Sequence, residues 1–208
     1  MHPTNTQSHK KSDNIWDSID SLRNLMLSPT VQKVTKTNTG LCYTMTNGET
    51  LERIGGTIAW RNNNPGCIRY SKRVVDMGAI GYANGFAIFP NEETGMRAIK
   101  SLLLSDAYRD LNISNAITKY APPHENNTAH YINSVCHIVG VSRNTKLCEL
   151  TDEQMTHVVY AIRTLEGWIP GIELHTRAPK PEIQSERMRT SIDNTRHVLI
   201  RRAYEHTL

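Results

Sequence analysis

The segment Trp60–Gly66 constrains the fold of this chain more than any other part of its sequence, which there reads Trp-Arg-Asn-Asn-Asn-Pro-Gly. Asn side chains compete for backbone hydrogen bonds and Pro lacks an N–H, so the segment cannot continue a regular helix or strand. We therefore expect a loop that is stiffened by bonds between its own side chains and the backbone.

Hydrophobic periodicity and capping residues predict an α+β fold that is mainly α-helical. A β-hairpin is expected at Cys42–Ile54, with its turn at Asn47-Gly48, and a short strand at Phe86–Phe89. The predicted helices run from Asn91 to about Tyr108, from Ser114 to Lys119, from Thr128 to a stop at Gly140, and from the capping box at Thr151–Gln154 to Leu165.

The 208 residues suffice for one domain with extensions. We expect an N-terminal extension at residues 1–40 with an amphipathic helix at 13–26, a central domain at 41–171, and a linker with a basic helix at 172–208. No apolar run approaches the roughly 18 residues that span a bilayer. The polar N-terminus lacks the apolar core of a signal peptide, so we expect neither an integral membrane segment nor a secretory signal.

The net charge of +4 fits an anionic partner, either nucleic acid or a wall polymer. The aromatic and basic motifs of nucleic-acid binders are not found, so we expect no nucleic-acid partner. The four cysteines include no C-x-x-C pair, which argues against zinc, and we expect no metal and no cofactor. Two disulfides and four partly buried free thiols are both compatible with the sequence.

Glu166 is a candidate general acid, because it ends the predicted helix 152–165 and precedes Gly167-Trp168. The negative end of the helix dipole and the water-excluding indole of Trp168 both disfavour a charged carboxylate. Both effects would raise the pKa of Glu166, as proton donation to a glycosidic oxygen requires. The alternative is a surface residue before a helix-terminating glycine.

Glu52 and Glu93 are rival catalytic carboxylates. Glu52 lies on the return strand of the hairpin and faces opposite to Glu49 if the strand is regular, so only one of the two can face a cleft. Glu93 lies in the first turn of its helix, where the dipole keeps an acid ionised. Glu93 therefore suits capping better than proton donation but can serve as a second carboxylate. A solvent-facing strand residue is the alternative for Glu52.

Candidate substrate-binding residues surround the Asn-rich loop. Asn63 and Asn64 offer amides that can hold N-acetyl groups and sugar hydroxyls, although a purely structural loop is the alternative. The rigid corner Tyr120–Pro123 can present the Tyr120 hydroxyl to a sugar, or Tyr120 is a core residue. Arg61 and Trp168 are the two remaining candidate substrate-binding residues.

A thiol mechanism is the alternative chemistry. Cys67 with His137 or His124 can form a thiol–imidazole pair. Cys67 follows a Pro-Gly loop and does not lie clearly at a helix N-terminus, where a thiolate would be stabilised.

Five motifs carry a resemblance: Gly55-Gly56-Thr57, Trp60–Gly66, Gly85–Pro90, Tyr120–Pro123 with Glu125–Thr128, and Glu166-Gly167-Trp168. Over about residues 41–171 they resemble a group of phage virion proteins and type VI secretion effectors that act on peptidoglycan. A looser likeness to flagellar and autolysin glucosaminidases implies a lysozyme-like fold. The matching positions are Asn63 or Asn64 with Gly66 and Ile68, Phe86 with Phe89, Leu102-Leu103, and Tyr120-Ala121.

The sequence departs from the pattern of these enzymes in two places that affect the assignment of the catalytic residue. The upstream helix that carries the catalytic Glu in those enzymes is absent, whereas the helix ending in Leu165–Trp168 resembles it at the other end of the chain. A circular permutation would explain this and would bring Glu52 and Glu166 to one cleft. Cys67 also stands where the family pattern has Asn, which argues against a family-wide thiol mechanism.

The resemblance implies a glycan-cleaving enzyme of peptidoglycan: a muramidase, a glucosaminidase or a lytic transglycosylase. It implies an antibacterial effector or phage-related lysin that is delivered without a signal peptide, by a secretion system or a phage, to the periplasm of a target bacterium. An immunity protein would then be a further partner. The alternatives are a peptide-cutting amidase that uses Cys67 and a non-catalytic wall-binding virion module.

Overall fold

The computed structural model describes residues 28–178. The helices predicted at 13–26 and at 183–208 lie outside the described residues. The strands are Val31–Lys36 (β1), Gly40–Met45 (β2), Thr50–Ile54 (β3), Gly81–Ala83 (β4), Phe86–Ile88 (β5) and Ile172–Thr176 (β6). The helices are Ile58–Arg61 (α1), Lys72–Asp76 (α2), Glu92–Leu103 (α3), Ile113–Tyr120 (α4), Thr128–Val139 (α5) and Asp152–Leu165 (α6), with a 3₁₀ turn at Leu147–Glu149. Helices and antiparallel sheets together confirm the predicted α+β class.

The predicted hairpin is confirmed as β2 and β3, with Gly48 in the turn at a φ of 82°. It forms the centre of a four-stranded antiparallel sheet in the order β1-β2-β3-β6. Leu41 and Tyr43 of β2 are buried on one face of this sheet, where they pack with Ile88 of β5. Alternation along β2 therefore separates an inner face from an outer one.

Two strands lie outside the predicted domain of 41–171, so that range is too narrow for the sheet. The Thr- and Asn-rich stretch before Gly40 contains β1, and the expected linker begins with β6. Ile172 and Leu174 alternate with polar residues in β6, but every residue of this strand is exposed. Its pairing with β3 depends on backbone hydrogen bonds and on the ion pair of Arg53 with Glu173 at 2.9 Å.

The main core lies among the helices. Most of its fully buried members come from four helices, among them Ile99, Leu103, Ile113, Val135, Val158 and Ile162. The predicted N-terminal caps Asn91 and Thr151 are confirmed, and Gly140 ends α5 at a φ of 70° as expected. These local signals set where the helices begin and end.

Helix α3 ends at Leu103, earlier than the predicted Tyr108. The backbone N–H and the hydroxyl of Ser105 both bond to the carbonyl of Leu102, at 3.2 and 2.7 Å. This tightens the last turn and directs the chain into an irregular segment. Ser105 therefore terminates a helix that the apolar periodicity alone would continue.

Candidate active site

A cleft of about 490 Å³ opens beside the end of α6. It is lined by the segment Gly66–Arg69, by parts of α2, β5, α3 and α4, and by the loop that follows α4. Its lining side chains are both aromatic and polar, and include Phe86, Tyr108, Tyr120, Arg73, Lys119, Glu125, Asn126 and Glu166. Aromatic rings together with a few convergent polar groups are typical of a ligand site.

Glu166 is half-buried and caps the C-terminus of α6, with the left-handed Gly167 ending the helix at a φ of 72°. The Tyr131 hydroxyl of α5 donates a hydrogen bond to Glu166 Oε1 at 3.1 Å, and the Cys67 side chain is also hydrogen-bonded to the carboxyl. Burial raises the pKa of Glu166, while these two hydrogen bonds oppose the rise. The structure thus places this predicted residue in the cleft, in an environment that favours its protonated form.

Trp168 does not take the position expected for it. Its ring lies 4.9 Å from the Arg163 guanidinium, and it is not among the residues that line the cleft. The groups that contact the Glu166 carboxyl are Tyr131 and Cys67. After Gly167 the chain runs past Thr57, whose N–H donates to the Ile169 carbonyl at 3.0 Å.

Cys67 contacts a carboxyl rather than an imidazole. Burial, with the Glu166 charge beside it, raises the pKa of the Cys67 thiol to about 12. His124 and His137 are both exposed, and His124 lies 3.4 Å from Glu125. A thiol in this environment stays protonated at neutral pH, which is the opposite of what a nucleophile needs. All four cysteines are free thiols.

The Asn-rich loop is stiffened as predicted, but Asn63 and Asn64 are not substrate-binding residues. The two side chains are buried, with 3% and 0% exposure. Asn64 Nδ2 donates to the carbonyls of Ile68 and Ala87, and its Oδ1 accepts from the Ile68 N–H. Asn63 Nδ2 donates to the carbonyls of Phe89 and Pro90. Since backbone groups occupy these amides, the structural alternative is correct for this loop.

Arg61 and Tyr120 also bond to backbone. Arg61 Nη1 donates to the carbonyls of Gly55 and Gly56, both at 2.6 Å, and Arg61 lies outside the cleft. The Tyr120 hydroxyl donates to the carbonyl of Gly66. Tyr120 nevertheless lines the cleft, so it is the one predicted substrate-binding residue that the structure brings beside Glu166.

Glu52 and Glu93 lie away from the cleft, which corrects the expectation that Glu52 and Glu166 share it. Glu52 pairs across the sheet with Cys42 and Leu174, on the face opposite to the buried Tyr43, and accepts a bond from Thr39 Oγ1 at 3.1 Å. Glu93 is 78% exposed and forms an ion pair with Arg97 at 2.5 Å. Glu93 lines a separate groove between α3 and α6. Alternation in β3 turns Glu52 outwards.

Glu125 is a second carboxylate of the cleft, and it was not among the site residues predicted from the sequence. It lies in the loop between α4 and α5, where Arg69 Nη2 donates to its two carboxyl oxygens at 3.2 and 3.0 Å. The hydrogen bonds and charge of Arg69 lower the pKa of Glu125. The sequence offered one signal for it, an acidic residue just after the rigid Pro122-Pro123 corner.

Within residues 28–178, no three His, Cys, Asp or Glu side chains lie together as metal ligands would. None of the helices in that range combines the length and the apolar character needed to cross a membrane. The sequence matches no known family model and no curated protein.

Proposed function

We propose that this chain cleaves the glycan backbone of peptidoglycan, with Glu166 as the general acid of a lysozyme-like domain. The observation that carries the proposal is a half-buried carboxyl with a raised pKa at the wall of an open cleft. Glycoside cleavage needs a carboxylic acid that keeps its proton near neutral pH. Burial of Glu166 raises its pKa in the direction that this role requires.

The order of the elements supports a permuted lysozyme-like arrangement. The helix that carries Glu166 is the last described helix and continues directly into β6, which pairs with the hairpin strand β3. In the enzymes that the sequence resembles, the helix with the catalytic Glu lies upstream. Within residues 28–178 the sheet strands come first and the Glu166 helix with one more strand comes last, which fits a change of connectivity around a similar arrangement.

The composition of the cleft supports a sugar polymer as the substrate. The aromatic rings of Phe86 and Tyr108 line the cleft, with the Arg69 guanidinium and the Lys119 ammonium lying over them. The polar side chains of Asn126 and Lys119 can bond to the hydroxyl and amide groups of a sugar. Several elements contribute to the cleft, and part of its lining, including Lys119 and Glu125, is exposed to solvent, as a polymeric substrate requires.

The side chains around Glu166 would assist the proton transfer. In the first step Glu166 gives its proton to the glycosidic oxygen, and the bond from that oxygen to the anomeric carbon breaks. The carboxylate left behind keeps its hydrogen bond from Tyr131 and can accept one from the Cys67 thiol. These two donors hold the carboxyl in one orientation and stabilise its ionised form.

Purified sacculi test the proposal. Wild type, Glu166→Gln and Glu52→Gln are incubated with them, and the fragments are identified by mass spectrometry. We expect glycan fragments from wild type and from Glu52→Gln, because Glu52 faces away from the cleft. Loss of a general acid typically costs about 10²–10⁴-fold, and Glu166→Gln should fall in that range.

A Cys67→Ala variant separates the thiol alternative from glycan cleavage. It should still release glycan fragments. Free stem peptides that disappear with Cys67→Ala would show a peptide-cutting enzyme instead. If wild type releases no glycan fragments from sacculi, the proposal is wrong.

A further inference from the structure

Two carboxyl groups line the cleft, and their surroundings differ. Glu166 is half-buried between Tyr131 and Cys67. Glu125 lies in the loop after α4, where the Arg69 guanidinium reaches both of its oxygens. One environment favours a neutral carboxyl and the other an ionised one, which is the division of roles that acid–base pairs in enzymes show.

One short segment of backbone connects the two carboxyl groups. Cys67 contacts Glu166, and Arg69, two residues later, holds Glu125. Two residues span at most about 7 Å between their Cα atoms. The buried amide of Asn64 fixes the residue between them, because it bonds to both the N–H and the carbonyl of Ile68. The stiff loop therefore positions the partners of both carboxyls.

Arg69 is held in place as well. Its guanidinium lies 5.5 Å from the centre of the Phe86 ring, and Arg69 forms an isolated β-bridge with Phe86. The side chain of Arg69 is 66% exposed and that of Glu125 is 45% exposed, so water reaches the Glu125 carboxylate. His124 lies 3.4 Å from the same carboxylate.

We propose that Glu125 is the second catalytic carboxylate of this cleft and takes the proton from the water that attacks the sugar. This inference rests on the proposed function of Glu166. It adds that the chain is a hydrolase and not a lytic transglycosylase, since a carboxylate that activates water is part of hydrolysis. Arg69 is the positioning residue that orients Glu125.

The reaction balances with water as the only co-reactant. Glu166 transfers its proton to the glycosidic oxygen as the bond to the anomeric carbon breaks. The oxygen of water forms the new bond to that carbon, and its proton passes to Glu125. Both products leave as free sugars, one with a new reducing end, and a proton exchange with solvent restores the two carboxyls.

The first experiment identifies the new chain ends in water enriched in oxygen-18. Wild-type digestion of sacculi should give reducing ends that carry one labelled oxygen. Anhydro-muramyl ends instead of labelled reducing ends would overturn the inference while leaving the glycan-cleaving function intact. If wild type gives no glycan fragments, the function of Glu166 and this inference both fail.

The second experiment compares Glu125→Gln with Glu153→Gln, an exposed glutamate in the first turn of α6, outside the cleft. Glu125→Gln should lose about 100-fold or more in rate. Glu153→Gln should match wild type. Activity of Glu125→Gln within a few-fold of wild type would overturn the inference.

Azide distinguishes a base from a structural residue. A Glu125→Gly variant leaves room beside the sugar, and azide needs no base to attack the anomeric carbon. Added sodium azide should restore cleavage and give glycosyl azides, which mass spectrometry detects. A folded, inactive Glu125→Gly variant that azide does not rescue would contradict the role of Glu125.

Discussion

Burial and hydrogen bonding act on the Glu166 carboxyl in opposite directions. Burial raises its pKa, and the hydrogen bonds from Tyr131 and Cys67 lower it again. The ionisable neighbours Tyr131, Cys67 and Tyr120 all have raised pKa values, so they stay protonated through the neutral range. A loss of activity as the pH rises through the raised pKa of Glu166 is therefore not caused by these three neighbours.

Tyr131→Phe tests whether Glu166 causes this loss. Activity should fall as the pH rises through the raised pKa of Glu166, because the general acid then loses its proton. The Tyr131 hydroxyl donates to the Glu166 carboxylate and stabilises it, so its removal should raise the pKa of Glu166. The fall in activity at high pH should then occur about one pH unit higher. The measurement is the pH dependence of kcat/KM on soluble glycan. Tyr82→Phe, at a 65% exposed residue, is the matched control. If activity falls at the same pH in Tyr131→Phe as in wild type, the fall is caused by a group other than Glu166.

In the Asn-rich loop, a single buried amide fixes several backbone groups. Asn64 makes three hydrogen bonds to backbone groups and is fully buried. The amide carries no exposed atom for a ligand. Asn64 therefore contributes to the stability of the fold and positions Cys67 and Arg69.

Asn64→Ala should lower the free energy of unfolding by about 3 kcal/mol, because the buried Ile68 N–H loses its partner and the carbonyls of Ile68 and Ala87 each lose one of two donors. Chemical denaturation measures this loss. Asn144→Ala, at an exposed residue before Thr145, should change stability by less than about 0.5 kcal/mol. Equal effects of the two substitutions would show that the loop is not held by Asn64.

At the scale of elements, helix α3 packs directly on the Asn-rich loop. A Cβ atom at Gly95 would lie 2.2 Å from the carbonyl oxygen of Asn63 and 2.5 Å from Cδ of Pro65. The helix and the loop thus approach each other through a residue without a side chain. Gly66 is equally close to α4, since a Cβ there would meet the Tyr120 hydroxyl.

Gly95→Ala should destabilise the chain although Ala favours a helix by about 1 kcal/mol over Gly. The clash is with backbone and a Pro ring, which cannot move aside easily, so a net loss of about 2 kcal/mol is expected. Thermal unfolding, monitored by circular dichroism, shows whether Gly95→Ala lowers or raises the stability. Gly81→Ala is the control, because a Cβ at Gly81 has no atom within 4 Å. A rise in melting temperature for Gly95→Ala would contradict the close packing.

At the scale of the whole described region, β6 connects the end of the Glu166 helix to the sheet. It pairs with β3 over five residues, from Thr50 with Thr176 to Ile54 with Ile172. Arg53 strengthens this connection by bonding to Glu173 and also to the Trp60 carbonyl and Asn63 Oδ1. One arginine thus joins the sheet, the Asn-rich loop and β6.

A chain that ends at Gly171 should therefore be less stable than one that ends at Ala178. The shorter chain loses the β6 pairing and the partner of Arg53, and we expect a drop of at least about 2 kcal/mol in the free energy of unfolding. Urea denaturation of the two chains measures it. Equal stability would show that β6 contributes nothing to the fold and that 171 is an adequate boundary.

The sequence by itself determined the features that depend on local hydrogen bonds. Asn91 and Thr151 cap their helices, Gly140 ends one, and Asn47-Gly48 turns the hairpin, because each needs only groups a few residues away. The stiffened Asn-rich loop was predictable for the same reason. The position of Glu166 at a helix end was also predictable, but its contacts were not.

Only the tertiary structure decided which polar groups were buried and which faced the cleft. Backbone carbonyls from β5 and Pro90 occupy the Asn63 and Asn64 amides, and those partners lie more than 20 residues away. β6 forms although none of its side chains is buried, because the bonds that pair it with β3 are backbone bonds. Glu125 lines the same cleft as Glu166 because α4, α5 and the loop after Gly66 pack together. Such long-range contacts depend on how elements pack, and no local pattern encodes them.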